Sequence, residues 1–243
     1  MGKLLALFAV GAIGMTLRFI ILGKFEWNQL FSLLLFPIGA SGISLIKIWQ
    51  IKRDSNYHPK ETRDVWYTHM GERYSTGKKL LFKGNQKIGE FHRFYPHWWQ
   101  HVVNEVIEGD GKWYMNLSFT LHNKTLIQFV QQKKKKIHFN ETWHIIQNGE
   151  VIGTVRTDYS LKNATKLQEG LILEIHNQTF YFQSFGIGSH TKVLMNDEVI
   201  ATGERSHTLH FQFQYEFAVK EGYAEIEPLL VMTYVLFNYV HNQ

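Results

Sequence analysis

The sequence predicts a membrane-anchored, mainly β protein, in which two N-terminal transmembrane helices precede a globular antiparallel domain. Two long apolar segments fill the first ~50 residues, and each is close to the ~20 residues that a membrane span requires. Beyond them, short runs with one apolar face recur between turn signals. The chain has 243 residues, 15% of them aromatic and none of them cysteine. The composition provides for one domain with a sizeable core and excludes disulfide frameworks, cysteine-ligated zinc and thiol catalysis.

Residues 1–53 are predicted to form a transmembrane hairpin, with helices at about 4–22 and 30–49. The two segments read LLALFAVGAIGMTLRFIIL and LFSLLLFPIGASGISLIKIW. Each holds one charge, Arg18 or Lys47, near its end, where a long side chain reaches the headgroups. A cleaved signal peptide and two core helices of a soluble protein are the alternatives. The hairpin is favoured because a second apolar span follows the first, and because both are apolar on all faces.

Aromatic and basic residues at the segment ends are predicted to anchor the hairpin at the membrane interfaces. The predicted interface anchors are Trp27, Trp49, Lys47, Lys52 and Arg53. Basic residues are more numerous at the outer ends of the hairpin than in its short connector. The positive-inside rule then predicts a cell-membrane protein with two spans and with both termini in the cytoplasm.

Residues 54–74 are polar and are predicted to be a linker, and residues 75–243 are predicted to be the globular domain. Leu209–Phe217 reads LHFQFQYEF, a strict alternation that is typical of a strand with one buried face. The other predicted strands are Lys87–Phe94, Trp113–Leu121, Thr125–Gln131, Thr142–Gln147, Val151–Thr157, Leu171–His176, Thr179–Phe185, Thr191–Met195 and Val199–Glu204. Short strands separated by turn dipeptides favour a closed barrel or a sandwich.

Three stretches share a tight turn followed by isoleucine and a small residue: GNQKIGEF, QNGEVIGTV and MNDEVIATG. The small residue, which is Gly89, Gly153 or Ala201, is predicted to permit a bend or a close approach of backbone. Repeated hairpin chemistry is the favoured explanation. Internal duplication is the alternative, and the unequal spacing of the stretches excludes a solenoid array.

Two segments depart from the β pattern. Pro96–Glu108 has the apolar spacing of an amphipathic helix that opens on a proline. Leu229–Val240 reads LLVMTYVLFNYV, which is apolar nearly all round but too short to span a bilayer. We therefore predict a C-terminal helix that is buried inside protein.

These features resemble the tubby C-terminal and LURP-one-related superfamily, of which phospholipid scramblases are distant members. The resemblance is carried by the hairpins with a turn before Ile-Gly, by the alternating run 209–217 and by the apolar segment 229–240. It implies an antiparallel barrel of about 10–12 strands around the hydrophobic C-terminal helix. The basic residues by which tubby domains hold phosphoinositide headgroups find no match in this sequence, so that activity is not carried over.

The predicted lipid contacts are a run of four lysines and a tryptophan pair, namely Lys133, Lys134, Lys135, Lys136, Trp98 and Trp99. The chain has a formal charge of +5, and each lysine near an anionic membrane surface contributes about 1 kcal/mol. A solvated loop tip is the alternative for the lysines. For the tryptophans, packing in the core is favoured, and insertion into the membrane interface is the alternative.

No catalytic, cofactor-binding or metal-binding residues are predicted. His97 and His101 stand one helical turn apart, but no glutamate completes an H-E-x-x-H motif. The leading hypothesis is a non-catalytic domain that binds anionic phospholipid headgroups or a protein partner at the cytoplasmic membrane face, and not nucleic acid. The alternatives are an enzyme that acts on a lipid or envelope substrate and a structural subunit of a membrane complex.

Overall fold

The structure is a computed structural model that divides into two compact units. It describes residues 1–59, 63–71, 73, 75–106, 114–132, 140–160, 163, 168–185, 190–208 and 212–241. One unit consists of Met1–Lys52 together with Tyr95–Tyr114. The other consists of Arg53–Phe94 together with Met115–Gln243. We describe the first as the helical unit and the second as the barrel unit.

The described residues of the helical unit form three helices: α1 (Gly2–Leu22), α2 (Trp27–Ser55, of which the last turn belongs to the barrel unit) and α3 (Trp98–Val106). Helix α1 ends at Gly23, which has a φ of 65° and donates its N–H to the carbonyl of Phe19 at 2.8 Å. Glycine occupies this left-handed position without the strain that a Cβ would cause. The two N-terminal helices thus contain the segments that the sequence predicts as spans.

Helices α1 and α2 are long and apolar enough to cross a membrane. They pack closely where side chains are small, because a Cβ on Gly11 would overlap Leu33 and because Ala40 is only 3% exposed. Most of their other large apolar side chains are exposed. In this low burial they differ from the core helices of soluble proteins, which are mostly buried.

The barrel unit is a closed antiparallel barrel of twelve strands in which each strand pairs with the next and β12 pairs with β1. The strands are β1 (Trp66–His69), β2 (Lys79–Lys83), β3 (Gln86–Phe94), β4 (Asn116–Leu121), β5 (Leu126–Gln131), β6 (Thr142–Gln147), β7 (Glu150–Thr157), β8 (Gln168–Ile175), β9 (Gln178–Phe185), β10 (His190–Met195), β11 (Glu198–Thr208) and β12 (Gln212–Val219). Full closure leaves no strand edge exposed for pairing with another chain.

The three related hairpin stretches occupy equivalent places in the barrel. In the hairpins β2–β3, β6–β7 and β10–β11 the register shifts just before the small residue, so that Ile88, Ile152 or Ile200 is the extra residue with no register partner on the other strand of its hairpin. A bulge of this kind bends the strand and increases its twist, which a closing sheet needs. A Cβ on Gly89 or Gly153 would lie within 3 Å of a carbonyl oxygen on the next strand, so the predicted close approach is present.

A fourth helix, α4 (Glu227–His241), fills the inside of the barrel. Every residue from Leu230 to Val240 is buried. Aromatic side chains from β3, β9 and β12 contact the helix from different sides; the pairs are Phe91 with Tyr239, Phe182 with Phe237, and Phe217 with Tyr234. The predicted barrel around a hydrophobic C-terminal helix is confirmed.

Gly203 on β11 is expected to be intolerant of any side chain. A Cβ at this position would overlap the ring of Tyr234, which is 2% exposed and packed on Phe217, so neither group can move aside. We expect Gly203→Ala to lower the free energy of unfolding by about 1–3 kcal/mol, the usual cost of overpacking. Denaturant unfolding of the full chain in detergent micelles measures this loss. The control is Thr202→Val on the exposed face of the same strand.

Strands β1 and β2 are absent from the sequence prediction, and β1 lies inside the segment predicted as a linker. The reason is that all four residues of β1 are buried, so the strand shows no alternation of polar and apolar residues. Its outer face is covered by Tyr57, whose ring stacks on His69 and meets Phe82 edge-on. The first part of the predicted run at 209–217 lies outside the described residues.

Candidate functional site

A cluster of three buried ionisable side chains lies in the barrel unit, at the end of α2. Asp54, His69 and Lys79 are each 1–2% exposed. The imidazole Nδ1 of His69 donates to Asp54 Oδ1 at 2.6 Å, and the N–H of Gly71 donates to the same oxygen at 3.2 Å. Lys79 Nζ lies 4.0 Å from Asp54 Oδ2 and 3.3 Å from the carbonyl oxygen of Gly77.

The contacts of the Asp54 cluster indicate a structural role. A carboxylate that is fully withdrawn from water must be compensated by hydrogen bonds and opposite charge, and this one has both. Its Oδ1 contacts join the last turn of α2 to the end of β1 and to the loop that follows it. Since these three side chains are almost wholly buried, they offer no exposed acid, base or nucleophile to a substrate.

A second polar cluster lies beside β8 and β9 in the barrel unit. The hydroxyl of Tyr181 donates to Asp158 Oδ2 at 3.0 Å, and the amide nitrogen of Asn163 donates to both groups at 2.8 Å. Burial raises the pKa of Tyr181, and burial with the charges of Glu141 and Glu169 raises the pKa of Tyr159 to about 12. Both phenols are therefore protonated at neutral pH and cannot serve as bases.

Helix α3 has its polar face buried and its apolar face exposed. Gln100 is 9% exposed and Asn104 is 2% exposed. Trp98 is 81% exposed, Trp99 is 42% exposed and Val102 is 48% exposed. This is the reverse of the pattern in a helix of a soluble domain, whose apolar stripe packs on the core. The favoured prediction that the two tryptophans pack in the core is therefore wrong.

Glu105 attaches α3 to the rest of the helical unit. Its carboxylate accepts a hydrogen bond from Lys47 Nζ on α2 at 2.6 Å and lies 3.7 Å from His101 Nε2. Its backbone packs on Gly2, the first residue of α1, where a Cβ would lie 2.9 Å from the carbonyl oxygen of Glu105. Burial alone would raise the pKa of Glu105, but Lys47, His101 and the N-terminal ammonium outweigh it and hold the pKa below its ordinary value.

The attachment of α3 is expected to weaken in acid. Because the pKa of Glu105 is lowered in the folded chain, its stabilising contribution is complete above the unfolded value and is lost as the pH falls through the folded value. The chain has no cysteine, so a spin label on Val102→Cys reports on α3 alone. We expect Glu105→Gln to increase label mobility at neutral pH, and the parent chain to reach the same mobility only in acid, as the pH falls through the lowered pKa of Glu105. Equal mobility of the two chains at neutral pH would contradict this assignment.

The other predicted site residues are distributed as follows. Trp27 and Trp49 are 64% and 59% exposed near opposite ends of α2, and their role as interface anchors stays a prediction. Lys47 is paired with Glu105, Lys52 is exposed and Arg53 is half-buried. The run Lys133, Lys134, Lys135 and Lys136 lies outside the described residues. His97 stacks on Trp99 with their ring planes 7° apart, and His101 lies beside Glu105.

A cleft of about 550 Å³ lies along α1 and α2, and it is lined mainly by apolar atoms. Arg18 is among its lining residues and forms an ion pair with Glu26 in the connector. Gly11, Met15 and Phe36 lie among its apolar residues. The cleft suits an apolar chain or a helix and not a polar substrate.

Sequence reasoning missed the residues that form these clusters. Asp54 and His69 fall in the stretch predicted as a polar linker, and Glu105 appears as one more charge on the polar side of an amphipathic helix. No local pattern distinguishes a buried charge from an exposed one, because the partner that compensates it is distant in the chain. The one usable signal is that Asp54 closely follows the second apolar segment, so a helix there would constrain its location.

Comparison with known proteins agrees with the fold. The model of the Tubby C-terminal like domain family matches residues 66–240, which contain all twelve strands and most of α4. No curated protein and no solved structure matches the chain. The match begins at Trp66, the first residue of β1, and also spans α3, which lies in the sequence between β3 and β4. The chain therefore belongs to the Tubby C-terminal like domain family.

Proposed function

We propose that this protein is a membrane-anchored, non-catalytic Tubby-like domain that binds anionic lipid or a protein partner at the cytoplasmic membrane face. The observation that carries the proposal is a contrast between its two units. The barrel unit is filled by its own helix, whereas α1 and α2 in the helical unit expose apolar side chains along their whole length. A protein with this distribution interacts through its surfaces and not through an internal pocket.

The filled barrel supports a non-catalytic role. An enzyme needs titratable groups that converge on a cleft open to substrate. In the described part of the chain, the Asp54 cluster is buried, and the phenols of Tyr159 and Tyr181 have raised pKa values. The inside of the barrel is occupied by α4, which leaves binding to the outer surface.

The dimensions of α1 and α2 support membrane anchoring. Helix α1 has 21 residues, and at 1.5 Å per residue it covers about 30 Å, the thickness of the hydrocarbon layer. The distance along α2 from Trp27 to Lys47 is also about 30 Å, so these two residues lie at opposite interfaces. Lys3, Lys47 and Lys52 lie at the end that carries the N-terminus, and the positive-inside rule assigns this end to the cytoplasm.

Charge supports a lipid surface as the partner. The formal charge is +5, and the run Lys133–Lys136 lies in the sequence between β5 and β6. In a domain already tethered to the bilayer, about 1 kcal/mol per lysine is enough to hold such a run near anionic headgroups. The narrower likeness to LURP-one-related proteins remains a prediction.

Amide exchange of the full chain in nanodiscs tests the anionic-lipid part. Discs of phosphatidylcholine alone are compared with an equal mixture of phosphatidylcholine and phosphatidylglycerol. We expect peptides that cover 131–142 to exchange more slowly in the anionic discs. Replacing all four lysines of the run by alanine should remove this difference in exchange. The control replaces Lys87, Lys124, Lys192 and Lys220 by alanine, which removes the same amount of charge elsewhere and should leave the difference unchanged. Identical exchange in both kinds of disc would reject anionic lipid as the partner.

A further inference from the structure

We infer that α3 lies in the interface of the bilayer that α1 and α2 cross, with Trp98, Trp99 and Val102 inserted among the lipids. This inference rests on the membrane anchoring proposed above. Helix α3, which is inserted between β3 and β4 in the chain, would then contact the membrane surface directly.

The exposure of α3 carries the first step. Its most exposed side chain is a tryptophan, and two further apolar side chains on the helix are at least 42% exposed. The polar Gln100 and Asn104 occupy the buried face instead, where the amide of Asn104 donates to the hydroxyl of Tyr95 at 3.1 Å. An apolar helix face that points outward is unfavourable in water. Such a face is therefore expected to contact lipid or another apolar surface.

The position of α3 in the helical unit supplies the second step. Glu105 contacts Lys47 on α2 and Gly2 on α1. Gly2 begins the first span, and Lys47 lies about 30 Å along α2 from Trp27, so both mark the same membrane surface. Glu105 is thereby held at headgroup depth, where a carboxylate paired with lysine is compatible with the interface.

The direction of the apolar face completes the argument. Residues 98, 102 and 105 follow the i, i+4, i+7 spacing that places side chains on one side of a helix. The side of α3 that touches the ends of the two spans is therefore also the side that carries Trp98 and Val102. Since tryptophan prefers the boundary between headgroups and acyl chains, the occupant of this face is lipid.

Depth measurement by electron paramagnetic resonance tests the inference on the full chain. A spin label on Val102→Cys is compared with one on Thr202→Cys, an exposed position on β11, in nanodiscs of phosphatidylcholine and phosphatidylglycerol. Oxygen concentrates in the membrane, and a nickel chelate stays in water. We expect the ratio of oxygen to nickel accessibility to be several-fold higher at position 102. Adding Trp98→Ala and Trp99→Ala should lower that ratio toward the value at position 202.

Each outcome supports or overturns the inference. Equal ratios at positions 102 and 202 would place α3 in water, and a label at 102 shielded from both reagents would place it against protein; either result overturns the proposal. Carbonate extraction of the same variants separates this failure from a failure of membrane anchoring. A chain that resists carbonate but has a water-exposed label at 102 retains the anchor and loses only the interfacial helix.

Discussion

Replacing Phe237 by alanine is expected to lower the free energy of unfolding by about 3–5 kcal/mol. Phe237 is fully buried in the middle of α4, and its ring faces Phe182 on β9 and His241 on the next turn. Truncation leaves a cavity in the centre of the barrel that the surrounding strands cannot collapse to fill, because hydrogen bonds close the sheet on itself. A loss of this size is a large fraction of the stability of a single domain.

The measurement is denaturant unfolding of the full chain in detergent micelles, followed by near-ultraviolet circular dichroism. Trp66 and Trp143, both buried in the barrel core, provide the signal. The matched control is Phe185→Ala, because Phe185 is 65% exposed at the end of β9 and should lose little. If Phe237→Ala were no more destabilising than Phe185→Ala, α4 could not be the core of the barrel.

Replacing Asp54 by alanine is expected to cost about 3–5 kcal/mol, because it removes the charge that compensates buried groups. His69 would lose the acceptor of its Nδ1 proton, and Lys79 would remain buried without its nearest carboxylate. Asp54→Asn should fall between the parent chain and alanine, since an amide oxygen still accepts hydrogen bonds from His69 and Gly71 but offers no charge to Lys79.

The same unfolding experiment distinguishes the buried Asp54 cluster from ion pairs on the surface. Glu198→Ala is the control, because Glu198 forms an ion pair with Lys220 in which both side chains are more than half exposed. Exposed pairs of this kind contribute about 0–1 kcal/mol. A loss at Asp54 that matches the loss at Glu198 would show that water reaches the Asp54 cluster in solution.

The sequence was informative wherever burial is one-sided or complete over a long run. Strand β6 has the bounds that its pattern predicts, Thr142–Gln147, and the all-round apolar character of 229–240 correctly placed a helix inside protein. The turn before Ile-Gly or Ile-Ala predicted bends at Gly89, Gly153 and Ala201, and the structure has a bulge beside each of them. These features are local, because the chain carries both the pattern and the turn that ends it.

The parts that could not be predicted depend on contacts between distant residues. Strand β1 is buried on both faces by segments from elsewhere in the chain, so its four residues show no period. The partners of Asp54 and Glu105 lie many residues away, and their charges suggested exposure. For Trp98 and Trp99, amphipathic spacing identified the apolar face but not its surroundings, because a membrane interface and a protein core select the same residues.

Labelling of single cysteines tests most directly the claim that two spans tether a cytoplasmic barrel. The chain has no native cysteine, so Asn28→Cys, next to the connector, and Thr202→Cys, on the barrel surface, each provide one reactive thiol. In intact expressing cells, a membrane-impermeant maleimide should label position 28 and should reach position 202 only after permeabilisation. Labelling of position 202 in intact cells, or protection of position 28 until permeabilisation, would contradict the account.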